Sequence, residues 1–429
     1  MSVFIWLIIV LYLLTFILSL LVMPLGKIYE KKLSKVKPSK YKDIYVLLPA
    51  LKEQKIVDET INWFSGIKYK GNIKYVVITS EKEEKFYKDN NINEITTNQL
   101  VEKKLVEIKD NRFIHYHYPK TDGNKSSQLN YAVDQIIENK IDMNNTYISV
   151  FDFDSKPDIN TFNSLNNIVE YKNNPDVIGQ VPMCFKNYVE FSKNPKKILV
   201  LLYAFQQTIR ATAIEKFKLI LSSFTNLNIP QYCMGACMHI KLKTLIANDM
   251  FPIFVDDLTL GYRLSIKNCK FAYLPSSNYV LIPNKIFDYV NSSVLIFKGI
   301  TTYLTEIKRA KKRNLWGKIK LFIEGTGNLI AFIIVPIIFL TFYLYSIINW
   351  KFNLVFWLML SIPYLWSISG YINMKNEGIK GDNKINSFLA FLVSPLWYLF
   401  RPMGFFVYFK RLIMGKLNGG QVQYRKTER

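Results

Sequence analysis

The chain has 429 residues, half of them hydrophobic and 21% charged, with a formal net charge of +23. That mixture predicts strongly apolar segments joined to an ordinary folded body. The excess charge is almost all lysine and bunches beside apolar segments, as at Lys27–Lys40 and Lys308–Arg313. Membrane flanks therefore account for it better than a nucleic-acid partner, for which no docking motif is present. Cys184, Cys233, Cys237 and Cys269 are too few for a disulfide framework, and no His or Cys pair completes a zinc set. They read as reduced thiols.

Residues 3–23 are uncharged and long enough to cross a bilayer core of about 30 Å. Neither a basic n-region nor a small-residue cleavage site marks them as a signal peptide. The lysines that follow, from Lys27 to Lys40, place that end in the cytoplasm and the N-terminus outside. From about 41 to 290 no stretch is long and apolar enough to span. Short β-rich runs (DIYVLLPA, IKYVVITS, TYISVFDF, VIGQVPM) alternate there with helix-like stretches, which predicts βαβ units and a mostly parallel sheet. Segments 198–217 and 293–312 carry apolar residues with basic ends, as interfacial helices do. For 198–217 an amphipathic core helix is an equal alternative. Apolar segments return at 327–348, 353–372 and 386–400. The last continues past Arg401-Pro402, where the proline predicts a break. The basic loop Lys375–Lys384 reads as cytoplasmic.

The run YISVFDFDSKPD ends a β-rich strand in Asp152-Phe153-Asp154. Carboxylates alternating at the end of a strand can face a common hard cation, such as Mg2+ or Mn2+, that leaves positions open for phosphate. Alone, two aspartates so spaced are common in surface turns. About a hundred residues later FPIFVDDLTLGYRL places Asp256 and Asp257 before an amphipathic helix. They can serve as dipole caps in its first turn. Alternatively, one can act as a general base toward an acceptor hydroxyl.

These motifs stand in a characteristic order: VLLPALKEQKIVDETI, KTDGNKSSQLNYAVD, FDFD, VIGQVPM, YCMGACMHIKLKTL and VDDLTLGYRLSIKNCKFAYLP. Over residues 44–275 the chain resembles family-2 glycosyltransferases of GT-A fold, including the membrane-embedded synthases of cellulose, chitin, hyaluronan and poly-N-acetylglucosamine. The resemblance implies an α/β nucleotide-diphospho-sugar transferase domain with a mostly parallel sheet, flanked by N- and C-terminal transmembrane helices. It implies that Pro49, Glu53, Lys125 and Asp152 bind the donor, with Lys125 near the diphosphate. Asp154 and Asp152 would hold the metal, and Asp257 would be the catalytic base supported by Asp256. Gln180, Pro182 and Gly235 would border the acceptor, while Cys233 and His239 suit packing as well.

Two departures qualify it. The Q-x-x-R-W motif of processive members is absent, since Ser292, Leu295 and Ile296 stand in its place. VVITSEKEE replaces an aspartate-bearing run, leaving Thr79, Ser80 or Glu81 to meet the nucleotide base. The expected organisation is a transmembrane helix at 1–25, a cytoplasmic catalytic domain at 41–290, interfacial helices at 291–320, a transmembrane region at 321–416 and a basic tail at 417–429. The expected activity is inverting, metal-dependent sugar transfer from a nucleotide-sugar, with UDP as the expected nucleotide, to a lipid-linked or cell-surface glycan acceptor. The expected setting is a multi-pass cell-membrane protein among membrane lipids, with export or assembly proteins as further partners and no nucleic acid. A processive polysaccharide synthase and a catalytically degenerate assembly subunit are the alternatives.

Overall fold

The computed structural model describes residues 2–183, 186–225, 229–231, 233–253, 255–310 and 314–417. Two compact units make up the chain: residues 26–182 with 219–280, and residues 1–25 with 183–218 and 281–429.

The first unit is built on an eight-stranded sheet, with strands β1 (Asp43–Pro49), β2 (Ile73–Ser80), β3 (Phe113–Tyr118), β4 (Thr146–Phe151), β5 (Lys156–Pro157), β6 (Val177–Met183), β7 (Cys237–Lys241) and β8 (Phe271–Tyr279). Their spatial order is β3-β2-β1-β4-β7-β6-β8-β5. The β3-β2-β1-β4 part is parallel, with Val46 opposite Tyr75 and Ser149. From β4 onward β7 pairs antiparallel with both β4 and β6, and β5 pairs antiparallel with β8. The sheet is thus mixed, which corrects the expectation of a mostly parallel one. An alternation of strands and helices fixes which segments are extended, not the direction in which a short strand such as β7 enters.

Burial explains why the central strands read as continuous apolar runs. Ile44, Val46, Leu47 and Leu48 on β1 and Ile148 and Val150 on β4 are fully buried, as strands covered on both faces require. The helix Lys125–Glu138 packs Leu129, Ala132, Val133 and Ile136 against them, one face at helical spacing. Each such side chain contributes about 1.5–3 kcal/mol on burial.

The second unit is helical. Among the described residues three helices are long and apolar enough to cross a membrane: Ile5–Leu33, Leu315–Ile348 and Leu354–Asn376. The pair Lys384–Leu392 and Ser394–Gly415, bent by 54°, would make a fourth span if taken together. The break falls at Val393, not at Arg401-Pro402 as the sequence predicted. Pro395 opens the short turn Ser394–Leu396 there, while Pro402 lies inside the helix Trp397–Leu417. Within 291–320 the helix Ile286–Arg309 ends before Leu315, where the helix that runs on to Ile348 begins. The tail beyond 417 and Cys184 lie outside the described residues.

Residues 183–218 group with this unit rather than with the expected body at 41–290. The helix Ile198–Ile209 is a core helix: Val200, Leu201, Leu202, Ala204 and Phe205 are buried. Gly370 lets the helix Leu354–Asn376 approach it closely, since a Cβ there would lie 2.2 Å from the Phe205 carbonyl oxygen. Ser19 and Ser369 add a hydroxyl pair at 2.5 Å between two apolar helices. Gly370→Ala is therefore expected to destabilise the protein by about 1–3 kcal/mol through overpacking against rigid backbone. A lower thermal unfolding midpoint in detergent checks this, and an unchanged midpoint contradicts it.

Candidate active site

The sheet order reverses between β1 and β4, and in an open α/β sheet the ligand crevice opens beyond the carboxyl ends at such a point. β4 ends at Phe151, and Asp152 begins a turn closed by the Ser155 N–H donating to the Asp152 carbonyl at 2.9 Å. Asp152 and Asp154 are thus the first and third residues of a turn, not alternate residues of a strand end as the sequence predicted. Between them Phe153 drives the chain inward: its side chain is buried and its carbonyl accepts from the Thr60 hydroxyl at 2.7 Å. The Asp152 side chain keeps 24% of its surface, whereas Asp154 is only 3% exposed.

Lys125 is the first residue of the helix Lys125–Glu138, which Asn124 caps by accepting the Ser127 N–H at 3.0 Å. Its Nζ donates to Asp152 Oδ1 at 2.7 Å and to the Gly235 carbonyl at 3.0 Å, and lies 4.0 Å from Asp256 Oδ2. Burial opposes this charge, but Asp152 and Asp256 outweigh it and hold the ammonium above its ordinary range.

Asp256 and Asp257 open the helix Asp256–Ile266. The residue before them, Val255, sits in the left-handed region at φ 49°, where a β-branched side chain is strained. Asp257 Oδ1 accepts the Leu258 N–H at 2.7 Å and Oδ2 accepts the Gly235 N–H at 3.2 Å. Burial, and next the charge of Asp256, push the Asp257 carboxyl up to about 6 despite Lys125. Asp256 is also raised, chiefly by burial, and its Oδ2 has no hydrogen-bond partner. A Cβ at 235 would press on Asp257 Oδ2, at 3.0 Å, so a larger residue there would shift that carboxylate by a few tenths of an ångström.

The structure thus brings Lys125, Asp152, Gly235, Asp256 and Asp257 together. Pro49 ends β1, and the Glu53 N–H in the following loop donates to Thr97 Oγ1 at 2.9 Å. Gln180 is wholly buried and donates to the Ser276 carbonyl at 2.9 Å. Its side chain is therefore not exposed to an acceptor in this structure. Pro182 is on β6, but its side chain lies outside the described residues. Thr79 is buried among Asn98, His115 and His117, and Ser80 caps the following helix by accepting the Lys82 N–H. Burial holds the His115 ring below the usual imidazole range. Glu81 faces His117 at 3.1 Å. The thiols of Cys233, Cys237 and Cys269 are buried and in no disulfide, that of Cys237 donating to the Gln180 carbonyl, and His239 packs between Phe151 and Phe162 with its pKa lowered by burial to about 3.

Sequence reasoning missed two supports of the site. Asn278 on β8 is fully buried and donates to the Ala236 carbonyl at 2.9 Å; Ser155 donates to the same oxygen at 3.3 Å. Together they fix the peptide beside Gly235 and tie the Asp152 turn to the residue that holds Asp257. Glu83 is 3% exposed and accepts from the Lys52 N–H, the Gln54 amide and the Thr97 N–H and hydroxyl at 2.6–2.9 Å, which fixes the loop after β1. Neither stands out in one sequence, because nothing local marks which polar residue is buried.

Among the described residues no three His, Cys, Asp or Glu side chains gather into a closed metal cage. The donor set fits a hard cation only in a limited sense: one or two carboxylates, with phosphate and water completing the shell, is how Mg2+ is often held. The partnerless Asp256 Oδ2 shows an anionic oxygen still open beside Asp152 and Lys125.

No family model matches the chain, and no curated protein does. Among solved structures, it is similar to a mannosyltransferase from Pyrobaculum calidifontis in complex with GDP-Man and Mn2+, at 12% identity and a TM-score of 0.49, over 93% of this chain and 99% of that one. It is also similar to glucosyl-3-phosphoglycerate synthase from Mycobacterium tuberculosis in complex with Mn2+, UDP and glucosyl-3-phosphoglycerate, at 12% identity and a TM-score of 0.36, over 62% and 80%. Both neighbours are glycosyltransferases; at these values neither likeness decides what this chain does.

Asn278→Ala is expected to leave the buried Ala236 carbonyl short of a donor, destabilising the sheet unit by about 1–3 kcal/mol. Thermal unfolding checks this, and wild-type stability in the variant contradicts it.

Proposed function

We propose that this chain is an inverting glycosyltransferase that takes a sugar from a nucleotide-diphosphate donor, UDP-linked by preference, to a lipid-linked or cell-surface glycan acceptor at a membrane. One observation carries the reading: a carboxylate raised to about 6 is held in fixed orientation by two backbone N–H groups, beside a partly exposed Lys125 ammonium oriented by Asp152. A general base works best with its pKa near the operating pH, and an oriented ammonium suits a diphosphate.

In this reading the acceptor hydroxyl gives its proton to Asp257 as its oxygen attacks the anomeric carbon. The bond from that carbon to the diphosphate oxygen breaks, the configuration inverts, and the electron pair leaves with the nucleoside diphosphate. Lys125 compensates the charge on the leaving group. Asp152 and Asp154 are the proposed holders of Mg2+ or Mn2+, which supplies further neutralisation of the diphosphate when bound. Asp256 keeps the Asp257 carboxyl basic through like-charge repulsion. The lysines from Lys27 to Lys40 support a cytoplasmic sheet unit. Single transfer is favoured over polymerisation, because an exposed Leu295 stands where processive relatives carry arginine.

The primary test is transfer by the full chain in membranes, with a panel of nucleotide-sugars and Mg2+ or Mn2+. Asp257→Asn is expected to lower kcat by about 10²–10⁴-fold, as loss of a general base does. Asp154→Asn and Lys125→Met should lose activity as well. Wild-type rates in Asp257→Asn would remove the base assignment, and product length separates one transfer from many.

The pH profile gives a second test. Asp257 must be ionised to act, so activity should rise as pH passes through about 6. Asp256→Asn removes the like charge, so the rising limb should move to lower pH; an unmoved limb contradicts the pairing. For stability the sign is opposite. The folded pKa lies above the ordinary 3.8, so this group's contribution is complete below that value and is lost as pH rises through 6.

A further inference from the structure

The segment that leads into Asp256 is held in an unfavourable shape. Asp249, Met250 and Val255 all stand in the left-handed region, at φ 59°, 53° and 49°. Side chains such as those of Met and Val are strained there, and such residues persist only where their surroundings leave no alternative. The chain beside the two aspartates must therefore be gripped.

Asn130 supplies a grip. It sits in the second turn of the helix Lys125–Glu138, its side-chain oxygen accepting the Phe251 N–H at 2.9 Å and its amide donating to the Phe251 carbonyl at 2.9 Å. One side chain thus satisfies both main-chain groups of one residue, as the facing residue of an antiparallel strand would. The Phe251 ring is buried in a core shared by Leu129 on that helix and by Leu260 and Leu264 on the helix that Asp256 and Asp257 open. Two residues on, the Asn124 amide donates to the Ile253 carbonyl, while the Asn124 oxygen caps the Lys125 helix by accepting the Ser127 N–H.

Both clamps come from the helix that carries Lys125, and the distances in the site make that origin matter. Lys125 Nζ lies 4.0 Å from Asp256 Oδ2, and Asp257 is oriented by the N–H groups of Gly235 and Leu258. A segment tied to the lysine's own helix keeps the aspartates in step with the cation. A segment left free would relax toward its preferred dihedrals and carry them out of line.

We propose that Asn130, seconded by Asn124, is a positioning residue for the transfer step, holding the strained segment so that Asp257 and Lys125 keep one separation. Its role presupposes the transferase reading of the site, and it acts through the main chain of Phe251.

The test is the pH profile of transfer by the full chain in membranes, for Asn130→Leu and Asn124→Ser. Leucine is close to asparagine in size but drops both bonds; serine still caps the helix and drops the amide. A misplacement of about 1 Å can cost about 10²-fold in rate, so kcat should fall about tenfold or more in Asn130→Leu, with the donor KM within about threefold of wild type. The limb that rises through about 6 should move to lower pH in both variants. Burial is the main cause of that value, ahead of the charged neighbours Asp256 and Lys125, and a slack segment admits water to Asp257. A smaller folded fraction scales the whole profile and leaves the limb in place, so it does not imitate this result. Unmoved limbs in both variants, with Asp257→Asn inert, overturn the role of Asn130 alone. Wild-type rates in Asp257→Asn overturn the transferase reading beneath it. Amide hydrogen exchange at Gly235 and Leu258 reads the same hold without turnover: it should quicken in Asn124→Ser, which keeps its helix cap, and unchanged exchange there overturns the hold even where Asn130→Leu does not fold.

Discussion

The Lys125 ammonium, held between Asp152 and the Gly235 carbonyl with Asp256 4.0 Å away, is the interaction on which the sheet unit's site depends. Each partner comes from a different element: the first turn of a helix, the turn after β4, the loop before β7 and the start of another helix. One cation therefore sets the spacing of acids that would otherwise repel one another. It also limits how far burial can raise the Asp257 carboxyl, keeping that group near neutrality instead of permanently protonated.

Around this centre the protein uses main-chain groups more than side chains. Gly235 gives its N–H to Asp257 and its carbonyl to Lys125, so a single peptide segment reads both charges. Its orientation is fixed from behind by Asn278 and Ser155 through the neighbouring Ala236 carbonyl. The same economy appears at Glu83, where one carboxylate organises four backbone or side-chain donors around the loop after β1. Carboxylates so used are positioned by the fold and do not move independently of it.

The sequence made β1, β2, β4 and β6 legible as β-rich apolar runs, and β1, β2 and β4 are buried on both faces. β3, β7 and β8 did not announce themselves. FIHYHY is only half-buried, CMHIK is short, and FAYLPSSNY carries a proline and polar residues that look like a loop. Asp152, Asp256 and Asp257 were legible as charged residues beside apolar segments, and Lys125 only through the resemblance of KTDGNKSSQLNYAVD to a family motif. Asn278 and Glu83 were not, since their importance comes from burial created by distant strands. The turn at Asp152 was also hidden, because whether Phe153 points inward is settled by the hydroxyl of Thr60, over ninety residues away in the chain. In the helical unit, apolar length was plain, but the choice of Pro395 over Pro402 as the point of bending depended on where the next helix could start.

Val255 gives the site a property of another kind. A β-branched residue held at positive φ immediately before Asp256 stores about 1–3 kcal/mol of conformational strain. Glycine at 255 relieves that strain, so a laboratory screen for heat resistance would favour it early. The same change widens the backbone freedom of the residue that leads into the two aspartates. Under the proposed transfer, thermal robustness and turnover therefore pull in opposite directions at this position.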